Sequence, residues 1–228
     1  MRSLHTPMTW EEFERMPWRM GWKHEYWDGC AHITPRDNHV HVCMKVEPRA
    51  ELEITPAGTL RSVKAADAEE LIECFIKTFE DGVEFCDWRT EQLTEHALRN
   101  ITDYFAGRRG SPLEVSRLAT ANRAETAATH TSPVSAQRVV AAALFTQKPD
   151  APVLDLLMVR PGFRRRGIAR APVTNAMNEL DARGVESLRS AYVVSNEESA
   201  AWHLSFGFIE SLRRSTRPTA RARGRAAT

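Results

Sequence analysis

The run Val159-Arg160-Pro161-Gly162-Phe163-Arg164-Arg165-Arg166-Gly167-Ile168-Ala169 has the layout of a phosphate site: a strand pattern ends, a basic turn with glycine follows, and a helical pattern begins. Free N–H groups and the positive end of a helix dipole converge at such a turn, which suits a pyrophosphate. Glycine at 167 lets phosphates approach the backbone. Many surface turns before helices are basic, so this segment alone leaves an ordinary solvated turn open as well. Asp155 stands four residues earlier in the otherwise apolar strand Val153 to Val159. A charge there is costly unless it is paired or functional, so it reads either as a proton-transfer group or as a carboxylate bridged to one of the many arginines. Period-two alternation puts it on the face of Leu157 and Val159. His24, Cys30, His32, His39, His41 and Cys43 invite a zinc reading, because His-x-His-x-Cys on a strand shows three ligands on one face. No pair has zinc-finger spacing, and histidines on a half-exposed sheet account for the pattern more cheaply, so no metal is expected.

The rest of the chain must position these groups. Its 228 residues, 42% hydrophobic, suffice for one large domain, or one domain plus a small appendage. No run approaches the roughly 20 apolar residues of a membrane span, and Glu11, Glu12 and Glu14 stand where a signal peptide needs an apolar core, so a soluble cytoplasmic protein is expected. Four cysteines without a CxxC pair read as reduced thiols. Arginines 213, 214, 217, 221, 223 and 225 crowd the C-terminus; removing these six from the 31 basic residues leaves 25 against 30 acids. Residues 213–228 therefore read as a basic disordered tail on a mildly acidic body, ahead of a nucleic-acid arm.

Thr9 and Glu12 have capping-box spacing and Pro17 stops a short helix. Asp28-Gly29 predicts a type I′ hairpin between Lys23–Trp27 and Cys30–Thr34, and a third strand follows at His39 to Val46. Four of the six tryptophans lie in the first 27 residues, most simply as the small core of this 1–50 appendage and otherwise as an acceptor or partner surface. After a Pro-containing linker come a strand at 59–64, a helix capped by Asp67 and Glu70, a helix from Thr90 to Ala106 ended by Gly107, and a strand near 114–120. Residues 121–137 read as a long mobile loop. From 139 onward the pattern is β-β-α-β-α-β: strands at 139–145 and 153–159, a helix from Gly167 to Arg183, a strand at 186–194, a helix capped by Asn196 and ended by Gly207, and a last strand from Phe208.

Two segments in register resemble the GNAT superfamily of N-acetyltransferases. The pyrophosphate loop of that family, Gln/Arg-x-x-Gly-x-Gly/Ala after a strand ending Val-x-Pro, is matched by Arg164, Gly167 and Ala169. The second motif, an Asn followed by a short helix closing on Gly-Phe, is matched by Asn196 through Gly207-Phe208. The resemblance covers roughly residues 59–212. It implies an α/β (α+β) fold with a mixed central sheet flanked by helices, here carrying the small helix-plus-β-meander appendage. It implies acetyl-CoA as co-substrate and a primary amine as acceptor. The stretch Leu157, Met158 and Val159 would bind the pantetheine arm and the thioester carbonyl, and the amides of Arg165, Arg166, Gly167, Ile168, Ala169 and Arg170 would hold the pyrophosphate beside Arg164. Asn196 would either bond the pantetheine or cap its helix.

Family members place a tyrosine that protonates the departing thiolate where this chain has His203; histidine can serve as acid there or pack beside Trp202. Asp155 stands where several members carry a glutamate and is the candidate base. Pro172, five residues after Gly167, costs little if the helix starts near Ala169 and kinks it if the helix starts earlier. The run from Met8 to about residue 35 resembles the opening helix and hairpin of a PD-(D/E)xK endonuclease family, without assignable metal-binding acids beyond it. The appendage is expected to pair its strands with the main sheet, a partner domain or a second copy of the chain as a homodimer. The rival functions are a catalytically silent acyl-CoA-binding or regulatory module and a nucleic-acid-associated protein using the arginine tail.

Overall fold

The computed structural model describes residues 3–19, 21–51, 59–122 and 137–211. The expected loop at 121–137 and the arginine tail lie largely or wholly outside the described residues.

An eight-stranded sheet organises the chain. Its order is β11 (Ile209–Glu210), β4 (His39–Lys45), β10 (Ser187–Val193), β9 (Pro152–Val159), β8 (Gln137–Gln147), β7 (Arg117–Asn122) and β5 (Thr59–Ser62), with β6 (Ser111–Pro112) joined to β8. Only β9 and β10 run parallel among these neighbours, as they must when α4 (Arg170–Ala182) crosses between them. Helices α2 (Ala68–Phe79) and α3 (Thr90–Phe105) cover one face. Leu71, Cys74 and Phe75 of α2 and Leu93, Ala97 and Ile101 of α3 repeat at helical spacing and pack on Val139, Ala142, Leu144 and Met158. On the other face Val173, Ala176, Met177 and Leu180 of α4, with Phe206 of α5 (Glu197–Phe206), pack on Phe145, Leu154, Leu188 and Tyr192. Among the described residues no helix is long and apolar enough to cross a membrane. The four cysteines are free thiols.

The N-terminal segment splits between two sheets. Strands β1 (Leu4–Pro7), β3 (Cys30–Pro35) and β2 (Trp22–Trp27) form a small antiparallel sheet beside α1 (Trp10–Arg15). The Thr9/Glu12 capping box forms as expected, and Asp28 (φ 51°) and Gly29 (φ 69°) take the left-handed pair of a type I′ turn. The third strand, β4, leaves this sheet and pairs with β10 over seven residues, Ser187 against Lys45 through Val193 against His39. Val42 (1% exposed), Met44 and Val46 point into the main core, while His39 and His41 face outward. Gly21 (φ 79°) seats the small sheet against the end of β10, where a Cβ would collide with the Val194 carbonyl. Ser195 Oγ donates to Arg36 O at 3.0 Å and Val194 N to Asn38 O at 2.8 Å across the same junction.

Several sequence expectations are corrected. Of the four early tryptophans only Trp22 is buried; Trp10, Trp18 and Trp27 are exposed, because a three-stranded sheet with a six-residue helix encloses too little volume for four indoles. Asp67 does not cap α2; its carboxylate takes the Lys64 amide at 2.8 Å and a two-bond pair with Arg61. Helix α4 begins at Arg170 rather than Gly167, which puts Pro172 in the first turn, where its missing N–H leaves no bond unmade. Strands β1 and β6 had no sequence signal strong enough to find them.

The placement of β4 predicts that residues 1–50 are required for a stable fold. Deleting them strips β10 of seven paired residues and removes Val42, Met44 and Val46 from the main core, each worth roughly 1.5–3 kcal/mol of burial. The truncated chain is expected to aggregate or to lose its cooperative melt in circular dichroism. Val42→Asp alone should have the same effect by placing a charge in the core.

Candidate coenzyme and acyl-transfer site

The phosphate turn is built outward from a buried anchor. Arg160 is 5% exposed, donates from its backbone to Val140 O at 2.9 Å and from Nε to Val139 O at 2.7 Å, and faces Glu73 of α2. A single 3-10 turn, Pro161–Phe163, drops Phe163 into the cluster of Ala141, Ile168 and Val159. The backbone then turns left-handed at Arg165 (φ 61°) and again at Gly167 (φ 75°) before α4 starts. Arg164 N is bonded to Pro161 O and Arg170 N to Gly167 O. The amides of residues 165–169 between them make no hydrogen bond to any described residue. Consecutive free N–H groups around left-handed residues at a helix start form a concave anion site, and nothing lies within 4 Å of where a Gly167 Cβ would stand. Arg164 and Arg165 are held by Glu198 of α5 at 3.8 and 3.3 Å, and Arg170 donates to Ser205 O at 3.1 Å. The exposed pairs with Glu198 are weak and readily exchanged for a ligand's phosphates, while Arg164 is also held by donating to Thr78 O and, at 3.4 Å, to Val159 O.

Beside this turn β9 and β10 part. Their pairing comprises Val153 with Arg189 and Leu154 with Ser190. Beyond that point β9 keeps β8 on its other edge as far as Val159, and β10 keeps β4, which pairs along its other edge from Ser187 to Val193. Among the described residues, one backbone edge of β9 from Asp155 to Val159 therefore faces no strand, and Leu157 and Val159 lie along it. Met158 contributes backbone only, since its side chain is fully buried under α2 and α3.

A bulge corrects the position expected for Asp155. Phe145 pairs with Leu154 and Leu144 with Leu156, which leaves Asp155 as the extra residue and resets the alternation. Leu157 belongs to the α4 face, whereas the carboxylate of Asp155 lies on the α3 side, bonded to Arg109 Nε at 2.6 Å and Nη2 at 3.2 Å. Arg109 also reaches Asn100 of α3. Nearby, burial raises the Tyr104 phenol above its ordinary range, opposed by its bond to Ser116 and reinforced by the charge of Asp155.

His203 is 4% exposed, with Nδ1 2.8 Å from Ser199 O and Nε2 2.9 Å from Ser190 Oγ. Burial lowers its pKa from the usual 6.5, partly offset by the Ser199 bond. The side chain of Asn196 takes the cap, its Oδ1 accepting from Ser199 N at 2.8 Å while Nδ2 reaches Glu84. Among the described residues, no three His, Cys, Asp or Glu side chains are grouped to hold a metal ion. Arg109, Ser190 and Glu198 carried no local motif; the one signal for Ser190 was a hydroxyl at an inward position of an apolar strand.

Comparison with known proteins agrees with this geometry. The chain is 36% identical over 84 residues to the ribosomal protein bS18-alanine N-acetyltransferase of Salmonella typhimurium; the match covers 36% of this chain and 57% of that relative. The structure resembles the crystal structure of a GCN5-related N-acetyltransferase from Sphaerobacter thermophilus with a TM-score of 0.52 at 17% identity, over 76% of this chain and 48% of the other. The chain thus spans about half the length of each, and the second likeness speaks to fold alone. Neither extends the nuclease resemblance of the first 35 residues. The model of the acetyltransferase (GNAT) family matches residues 83–208, more than half of the chain, and the chain belongs to that family.

Proposed function

We propose that this protein is an N-acetyltransferase that binds acetyl-CoA and an amine together and transfers the acetyl group by direct attack. The observation that carries the reading is the row of unbonded amides at residues 165–169, next to an unpaired edge of β9. A pyrophosphate fits the first, and a pantetheine arm, which carries amide groups of its own, fits the second. The thioester carbonyl would be polarised by a strand amide near Leu157, fixed in place before charge develops on the oxygen. Glu198 would yield its arginines to the phosphates.

The acceptor we favour is the α-amine at the N-terminus of a polypeptide, the class named for the Salmonella relative. Attack needs a neutral amine. An α-amine has a pKa of about 7.7–8.0, so a fair fraction is neutral near pH 7.5, whereas a lysine at about 10.4 needs a strong base. Asp155, the expected base, is held bidentate by Arg109, so its role in this reading is to fix the bulge and α3 beside the thioester. The reaction belongs in the cytoplasm, in keeping with four free thiols.

The test is CoA release with two peptides, one with a free N-terminal alanine and one N-terminally blocked with a single lysine. Release with the first and little with the second is expected near pH 7.5. Tight coenzyme binding without release from any amine would instead identify a silent acyl-CoA-binding module. Gly167→Ala forces a left-handed alanine, costing about 1–2 kcal/mol, and sets a methyl beside the phosphates. Calorimetry should show the Kd for acetyl-CoA raised about tenfold. Asp155→Asn breaks a largely buried ion pair (Asp155 side chain 13% exposed) and should cost about 1–3 kcal/mol. A melting temperature lower by several degrees, with kcat reduced less than tenfold, is expected; a base would show the reverse pattern.

A further inference from the structure

Ser190 is the last residue of β10 paired with β9. Its side chain is buried, with Oγ 3.1 Å from Leu154 O on β9 and 2.9 Å from His203 Nε2 on α5. On the far side of the ring, Nδ1 sits 2.8 Å from Ser199 O. A carbonyl only accepts, so Nδ1 carries the proton and Nε2 of the neutral ring is an acceptor; the one hydroxyl hydrogen of Ser190 then has two acceptors in reach, Leu154 O and Nε2, and turns to Nε2 for the transfer. Burial lowers the pKa of His203, which keeps that neutral form at pH 7. Ring contacts enclose the imidazole: Tyr192 at 5.2 Å, Trp202 at 5.0 Å and Phe208 at 5.1 Å. Tyr192 is the titratable one of the three, and its hydroxyl is engaged with Glu210. A hydroxyl, an imidazole and a third group that fixes the tautomer make up the arrangement by which side chains move protons at a reacting centre.

We propose that Ser190 and His203 form a relay that carries one proton from the attacking nitrogen to the departing sulfur, with Ser190 as the catalytic residue at the reacting atoms and His203 storing the proton behind it. The inference rests on the acetyltransferase reading. An arm inserted between β9 and β10 would end where they close, at Leu154 and Ser190, which would bring its thioester, polarised near Leu157, towards Ser190 Oγ. The neutral amine attacks the carbonyl carbon and forms the C–N bond, leaving a positive nitrogen. Ser190 Oγ accepts that N–H proton as its own O–H proton passes to Nε2. The C–S bond then breaks with its electron pair on sulfur, Ser190 protonates the thiolate, and Nε2 returns a proton to Oγ. One proton has moved from nitrogen to sulfur, and both side chains end as they began.

Ser190→Ala, His203→Gln and their double variant test the relay, with CoA release and calorimetric coenzyme binding as separate readouts. Each single variant should lower kcat about a hundredfold, and the double variant no further, while KM and Kd for acetyl-CoA stay within about twofold. Ser190→Thr keeps the hydroxyl and should stay within about tenfold of the wild type. The wild-type kcat should fall on acidification as Nε2 becomes protonated, and Ser190→Ala should lose that acid limb; a packing role would lower the rate equally at every pH. Full turnover in Ser190→Ala with unchanged binding overturns the relay and leaves the acetyltransferase reading standing. No release by the wild type with either peptide overturns that reading and the relay with it. If circular dichroism shows Ser190→Ala unfolded, full turnover in His203→Gln is the overturning result.

Discussion

Strands β9 and β10 share two residue pairs and then leave their facing backbone edges unpaired, and the candidate site follows from what holds each strand on its other edge. Strand β10 is held there by β4, along a ladder of seven residues that includes the two paired with β9. Strand β9 keeps β8 on one side and, among the described residues, has no strand on the other from Asp155 to Val159. A row of unpaired N–H and C=O groups beside a packed core is costly unless something polar fills it. The opening is thus framed from outside, by the β4 ladder that holds β10 on its far edge and by a bulge that bends β9.

The same economy governs the phosphate turn. Arg160, buried and bonded to Val139 O, and Phe163, sunk among apolar side chains, fix the start of the turn, and Ile168 in the same cluster fixes its end, so that the amides of residues 165–169 can remain unbonded without the loop collapsing. Anchors therefore lie beneath the site and free donors lie on it. Across the opening, α5 presents Asn196 as its own cap, Glu198 to the arginines and His203 to Ser190. One short helix thus contacts both the phosphate end and the closed end of the cleft.

What the sequence made legible was local. Asn196, Gly207, the Thr9/Glu12 box and the Asp28-Gly29 turn each state their conformation within four residues and form as read, and Gly167 takes the positive φ of a turn ahead of the helix rather than starting it. The pairings that create the cleft were not legible, because they join residues far apart in the chain: His39 with Val193, Arg109 with Asp155, Ser190 with His203. The bulge at Asp155 is the sharpest case. Period-two alternation put its side chain beside Leu157, and one extra residue, invisible in a single strand's pattern, moved it to the opposite face. Composition likewise misled on the tryptophans, since it counts apolar mass without the enclosing volume.

Strand β4 lies between β10 and β11, so its hydrogen-bonding partners are the last strands of the domain to be made. During synthesis this segment emerges from the ribosome well before the residues that complete its ladder, more than a hundred positions later. Closing a loop of that length precedes any gain from the pairing, which places this step among the slow ones of folding. Until then Val40, Val42, Met44 and Val46 form an uncovered apolar strand, a stretch that a chaperone would hold and that crowded nascent chains would find in one another.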